Sequence, residues 1–103
     1  MHFIESPVFT KQVKSLMSDE QYSLLQLMLA SNPTSGNVIT NSGGIRKVRW
    51  SNTHRGKRGG FRVLYHYSEQ VNEIRMLFLF SKNESSDLSA SQLRILKQIV
   101  ENW

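Results

Sequence analysis

A chain of 103 residues with 39% hydrophobic and 20% charged side chains has the composition of one small globular domain and leaves no length for a second. The absence of cysteine excludes a disulfide framework, a thiolate-ligated zinc and a thiol nucleophile, and agrees with a reducing compartment. Thirteen Lys and Arg against eight Asp and Glu leave +5 with the histidines neutral, an excess that favours acidic partners.

The chain opens on MHFIESPVF, which has no cationic start followed by an apolar run. No secretory signal is therefore expected, and no apolar run reaches the ~18 residues of a membrane helix. The expectation is a soluble, cytoplasmic protein that does not engage a membrane. His2 to Glu5 reads as a short strand. Phe9, Val13, Leu16 and Met17 then recur at helical spacing. Ser18 with Gln21 has the capping-box pattern, and Met17 and Tyr22 stand at the staple positions around it. This second helix runs through Leu24, Leu25, Met28 and Leu29. It ends by Asn32-Pro33, because proline pushes the residue before it out of the helical region.

A Ser/Gly/Asn-rich turn and a short strand at Val38 to Thr40 come next, and Gly43-Gly44 introduces a strand from Ile45 to Trp50. Phe61 to Tyr67 is another, with Phe61, Val63, Tyr65 and Tyr67 on one face and Arg62, Leu64 and His66 on the other. The intervening polar residues 51–60 make these two a long-looped hairpin. Glu73 to Phe80 is a third strong strand, apolar enough to be central. Ser89 and Gln92 repeat the capping box, Leu88 and Leu93 form a staple, and Leu93, Leu96, Val100 and Trp103 stripe the last helix. The order β-α-α-β-β-β-β-α predicts an α+β fold in one domain, 1–103. It has a small, antiparallel-rich sheet, a paired N-terminal helical segment and a C-terminal helix.

Charge is unevenly distributed along these elements. Residues 21–68 contain no acid and hold seven cations: Arg46, Lys47, Arg49, Arg55, Lys57, Arg58 and Arg62. Each flank nets −1, so the middle supplies +7. Trp50, His54, Phe61, Tyr65, His66 and Tyr67 are interleaved with the cations. Such a segment suits phosphates and stacked bases, the plainer alternative being a solvated basic face.

Most catalytic constellations lack their parts. His2, His54 and His66 are far apart in sequence, and HExxH, EF-hand, P-loop and GxSxG patterns are missing. Glu84 and Asp87 precede the last helix, where negative charge favours the helix dipole. Neither a metal nor an organic cofactor is expected. Cations alone can nevertheless run RNA cleavage by the RNA's own 2′-hydroxyl. That reaction needs a base, an acid and positive charge on the phosphate oxygens. Like-charged neighbours and burial make a lysine a better base, while guanidinium forks fit phosphate oxygens. On charge alone, simple nucleic-acid binding requires less geometry.

The runs Gly43-Gly-Ile-Arg46-Lys47-Val-Arg49-Trp50, Gly56-Lys57-Arg58-Gly59-Gly60-Phe-Arg62-Val-Leu-Tyr65-His-Tyr67 and Leu79-Phe-Ser-Lys82-Asn83-Glu84, with the Asp87-Leu88 helix start, resemble the RelE superfamily of type II toxins. They are most similar to its HigB-like branch. The resemblance spans nearly the whole chain. It implies a RelE-like α+β toxin that cuts messenger RNA in the ribosomal A site and is silenced by a cognate antitoxin. By the same resemblance Arg62 would stabilise the phosphate and the transition state, and Lys82 or Lys57 would be base or acid. Arg46, Lys47, Arg49, Arg55 and Arg58 would bind RNA, and Tyr65, Tyr67 or Phe80 would stack a nucleotide. For Tyr65 and Tyr67 core packing is the stronger reading, since they alternate with Phe61 and Val63. ParE-like relatives share the fold and act on DNA gyrase, which leaves a non-nuclease alternative.

Overall fold

The computed structural model describes residues 1–51, 60–81 and 89–103. The elements are β1 (His2–Glu5), α1 (Pro7–Leu16), α2 (Asp19–Ser31), β2 (Asn37–Val38), β3 (Ile45–Trp50), β4 (Phe61–Ser68), β5 (Glu73–Ser81) and α3 (Ala90–Glu101). The five strands form one sheet in the order β1-β5-β4-β3-β2, so the α+β class and the element order are as expected. Every neighbouring pair is antiparallel except β1 with β5.

The helix boundaries follow from local chemistry. Ser18 and Ser89 each accept the N3 amide while Gln21 and Gln92 return to the cap amide, completing both capping boxes. Ser6 caps α1 ahead of Pro7, whose missing donor costs nothing at that position. Met17 lies one residue beyond α1 in an extended conformation, and it is still buried. The strand expected at Val38 to Thr40 is instead Asn37–Val38, paired with Lys47 and Arg46.

Two apolar clusters fill the two faces of the sheet. On one face Phe9 and Val13 of α1 and Leu25 and Leu29 of α2 pack against Val63, Tyr65, Ile74, Met76 and Leu79. On the other, Leu96 of α3 packs against Ile45, Leu64, Leu77 and Phe80. The alternation read along β4 therefore assigns its faces correctly. Leu24, on the predicted stripe of α2, points outward instead, because the stripe that meets the sheet is Leu25 and Leu29.

Around β1 and α1, buried polar groups are matched with one another. The Ser6 hydroxyl accepts from the Phe9 amide and donates to the Leu77 carbonyl at 2.9 Å, and the Leu79 amide donates to Gln12 Oε1 at 2.7 Å. These bonds satisfy the side of β5 that β1 leaves when the chain turns into α1. The Glu5 carboxylate accepts from Thr10 and from the Tyr22 hydroxyl, each at 2.6 Å, tying β1 to both helices. Burial, reinforced by that acceptor, pushes the Tyr22 phenol far above its ordinary range.

Tyr65 has a structural task. Its ring is fully buried, its hydroxyl accepts from the Gly36 amide at 2.9 Å and donates to the Pro33 carbonyl at 2.8 Å. Gly36 suits this contact because a Cβ there would lie 3.0 Å from the tyrosine oxygen. Tyr65→Phe is expected to cost about 1–2 kcal/mol, since it leaves both backbone groups without this partner. A lower urea midpoint at unchanged m-value would show it.

Candidate functional site

The register of β3, β4 and β5 lays the central cations out in rows. Arg49 pairs with Arg62, which pairs on its other side with Phe80. The adjacent row on the same face is Lys47, Leu64 and Phe78. Leu64, Phe78 and Phe80 belong to the cluster under α3, so alternation puts Lys47, Arg49 and Arg62 on that face as well. Arg49 is exposed, and Lys47 and Arg62 are half-buried.

Directly opposed like charges destabilise a strand pair. Among the described residues the ion pair is Arg75 with Glu73, at 2.6 Å, and no carboxylate pairs with Arg49 or Arg62. An anion bridging the two guanidiniums would relieve the repulsion, and a phosphate has oxygens enough for both forks. Trp50, Phe61 and Ser81 form the next row, at the end of the sheet where residues 52–59 and 82–88 attach. Arg55, Lys57, Arg58 and Lys82, like Glu84 and Asp87, lie outside the described residues. Lys82 follows Ser81 directly in the chain.

Four residues expected at an RNA surface are elsewhere. The Arg46 guanidinium donates to the carbonyls of Gly36, at 2.7 Å, and Thr34, at 3.3 Å, on the face of α1 and α2. With Tyr65 it clasps residues 33–36 to the sheet, so the expected group of Arg46, Lys47 and Arg49 is split between two faces. Tyr65 is sealed in the core and offers no ring face. Tyr67 is half-buried against the same core, on the side of the sheet away from Arg62. Phe80 is only 4% exposed and packs at 5.9 Å, tilted, against Phe78. None of the three aromatics expected to stack a base lies open on the cation face. Alternation along β3, with Val48 and Trp50 on the side of Arg46, carried the signal for the split.

His66 lies at the other end of the cation face. Its ring packs against Gly44, where a Cβ would stand 3.4 Å from Nε2 and where φ is +95°, so glycine meets both demands. The buried Nδ1 has no hydrogen-bond partner among the described residues. Burial, then the positive charge of Arg75, lowers its pKa below the ordinary 6.5, with Glu73 opposing. The unfolded chain therefore takes up this proton at higher pH than the folded one. Stability should be complete above pH 6.5 and fall as pH drops from there toward the folded-state pKa. His66→Gln is expected to flatten that part of a stability-against-pH curve.

Among the described residues no three His, Asp or Glu side chains gather into a set that could hold a metal ion, and no helix is long and apolar enough to cross a membrane. A family model described as the RelE toxin of the RelE / RelB toxin-antitoxin system matches residues 7–103. The chain belongs to the RelE toxin family. Membership makes it the toxin of a toxin-antitoxin pair, in a family whose toxins are generally endoribonucleases, and it implies an antitoxin partner. In this RelE-family toxin β2 to β5, the paired helices and α3 fall within the matched span, and β1 precedes it.

Proposed function

We propose that this RelE-family toxin is a ribosome-dependent endoribonuclease of the HigB-like branch, cutting messenger RNA in the ribosomal A site. The observation that carries the reading is the Arg49–Arg62 row. It consists of two opposed guanidiniums with no acidic partner among the described residues, at the sheet end where Lys82 and the basic 52–59 segment attach. The 2′-oxygen attacks the adjacent phosphorus and the bond to the 5′-oxygen breaks, leaving a 2′,3′-cyclic phosphate and a free 5′-hydroxyl. A base takes the 2′-hydroxyl proton and an acid supplies one to the departing oxygen. Lys57 and Lys82 are the candidates for those two roles. Arg62 stabilises the charge that grows on the equatorial oxygens, where preorganised donors contribute most. Lys47, Arg49, Arg55 and Arg58 hold the flanking backbone.

Production of the chain alone in a bacterium should arrest growth and fragment translated messages. Arrest with intact messages would point to the gyrase-directed or RNA-binding alternative, and normal growth would sink both. Binding of ribosomes or of a single-stranded RNA should weaken with salt, with a log–log slope of about 0.7 per phosphate neutralised.

A further inference from the structure

The two edges of the sheet are guarded unequally. β2, beside β3, is two residues long, and Arg46 and Tyr65 clasp the chain that leads into it. β1, beside β5, is four residues long and holds no Pro, Gly or Lys, and among the described residues no strand covers its outer side. The His2 and Ser6 amides donate to the carbonyls of Asn72 and Met76. Even-numbered residues of β1 therefore turn their backbone groups toward β5, and Phe3 and Glu5 turn theirs outward.

Side chains sort the same strand by face. Phe3 packs with the cluster under α1 and α2, while Ile4 lies beside Arg75 on the α3 side. The Trp103 ring stands 5.1 Å from the Arg75 guanidinium. Next to it an apolar groove of ≈ 570 Å³ runs between α3 and the β1–α1 junction. Its floor holds Phe78 and Leu77, the extra residue left in β5 where the pairing with β4 shifts, and Val8, Ile95 and Ile99 stand along its walls. Ile4 and Ile99 are 37% exposed and Val8 is 51% exposed, so the open edge is flanked by open apolar side chains.

A two-fold axis through Ile4, perpendicular to the sheet, satisfies this edge with a second copy. Phe3 of each copy exchanges its outward amide and carbonyl with Glu5 of the other. The two Ile4 residues then form a non-hydrogen-bonded pair, the kind in which facing side chains come closest. Both α3 helices lie on the same side, with Ile99 and Trp103 of each toward the seam. The Glu5 carboxylate is already held by Thr10 and Tyr22, so it does not stand unpaired there. Further out the register sets opposite charges together. α1 runs on past β1 along β5, where Gln12 reaches the Leu79 amide. Its exposed Val8 and Lys11 would therefore pass the second copy's turn between β4 and β5, where Glu69 and Val71 are exposed. Within one chain Lys11 and Glu69 belong to opposite ends of β5, about 20 Å apart at ~3.3 Å per residue.

We infer that a second copy of this chain docks on β1. The dimer is antiparallel, with one continuous sheet, Ile4 at the two-fold axis and Lys11 of each copy beside Glu69 of the other. Lys47, Arg49 and Arg62 stand on β3 and β4, beyond β5 from the seam, so the cation rows stay uncovered and the two basic segments stay apart. The inference rests on the fold alone and is independent of the proposed function.

Sedimentation equilibrium of the purified full-length chain tests it. The chain should dimerise. Ile4→Lys, which sets two ammonium groups together at the axis, should weaken the dimer at least about 30-fold. Ile99→Asp serves if Ile4→Lys folds poorly by circular dichroism, and should weaken it at least about 10-fold. Leu27→Asp, at an exposed position of α2 away from the seam, should change it less than about 3-fold. Lys11→Glu and Glu69→Lys should each weaken it about 10-fold, because like charges then meet twice per dimer. An equimolar mixture of these two should recover the parent's affinity, since a mixed dimer holds two opposite-charge pairs. A chain that stays monomeric to about 0.1 mM overturns the dimer. Loss of antitoxin binding in Ile4→Lys, from a chain monomeric on its own, assigns the edge to the antitoxin and overturns the choice of occupant. A dimer that survives both Ile4→Lys and Ile99→Asp, or that only Leu27→Asp dissociates, overturns the seam. Charge reversals without effect, or a mixture no tighter than its parts, overturn the register.

Discussion

Arg62→Ala is expected to relieve the growth arrest caused by the chain alone and to lower message cleavage by about 10²–10³-fold, the loss typical of one transition-state donor. Arg62 is half-buried in the middle of a three-strand row, between Arg49 and Phe80, so its backbone is held by the sheet and not by a loop. A phosphate meeting that row would be met by a fork on a fixed backbone, where a guanidinium's two parallel donors contribute more than a point charge. Stability should behave in the opposite way. Removing one of two opposed guanidiniums relieves repulsion, so the unfolding midpoint should stay put or rise slightly. Arg62→Lys keeps the charge and loses the fork, and should fall between the two. Arg49→Ala, at an exposed position, should cost less than Arg62→Ala. Retained cleavage and toxicity in Arg62→Ala, at wild-type expression, would remove the cation row from the mechanism.

The second large effect is on folding. Phe9→Ala should cost about 3–5 kcal/mol, the usual penalty for emptying an aromatic site in a core. Phe9 has no exposed surface, packs at 5.8 Å against Tyr22, and joins both N-terminal helices to β4 and β5. A domain of this size has roughly 5–15 kcal/mol in all, so the variant should be largely or partly unfolded at growth temperature. Urea denaturation followed by circular dichroism measures it directly. The two variants should both lose toxicity for separable reasons: Arg62→Ala stays folded and inactive, while Phe9→Ala loses its midpoint. A Phe9→Ala protein as stable as the parent would contradict the packing described for the α1 face.

Much of the fold was legible in single segments. The capping boxes at Ser18 and Ser89 need only a serine and a glutamine three residues on, and both formed. The alternation from Phe61 to Tyr67 predicted which side chains share a face, and the apolar clusters bear it out. Packing was the stronger reading for Tyr65 on the same ground. The site was less legible. Seven cations close in sequence invite one surface, yet a strand turns neighbours to opposite faces, and Arg46 serves a loop while Lys47 and Arg49 face α3. Along Met76 to Phe80 every residue is apolar, so period-2 reading had nothing to work on and the extra residue at Leu77 went unseen.

By itself, then, the sequence determined the element types, their order, their caps and a basic middle segment, because those depend on contacts a few residues apart. Tertiary structure alone decided the parallel pairing of β1 with β5, with the helices and β2 to β4 between them in the chain. It also set Arg49 against Arg62 and opened the groove beside α3. Each of these joins residues distant in sequence, and which partners meet is settled by burying both faces of the sheet at once, a condition no single segment carries.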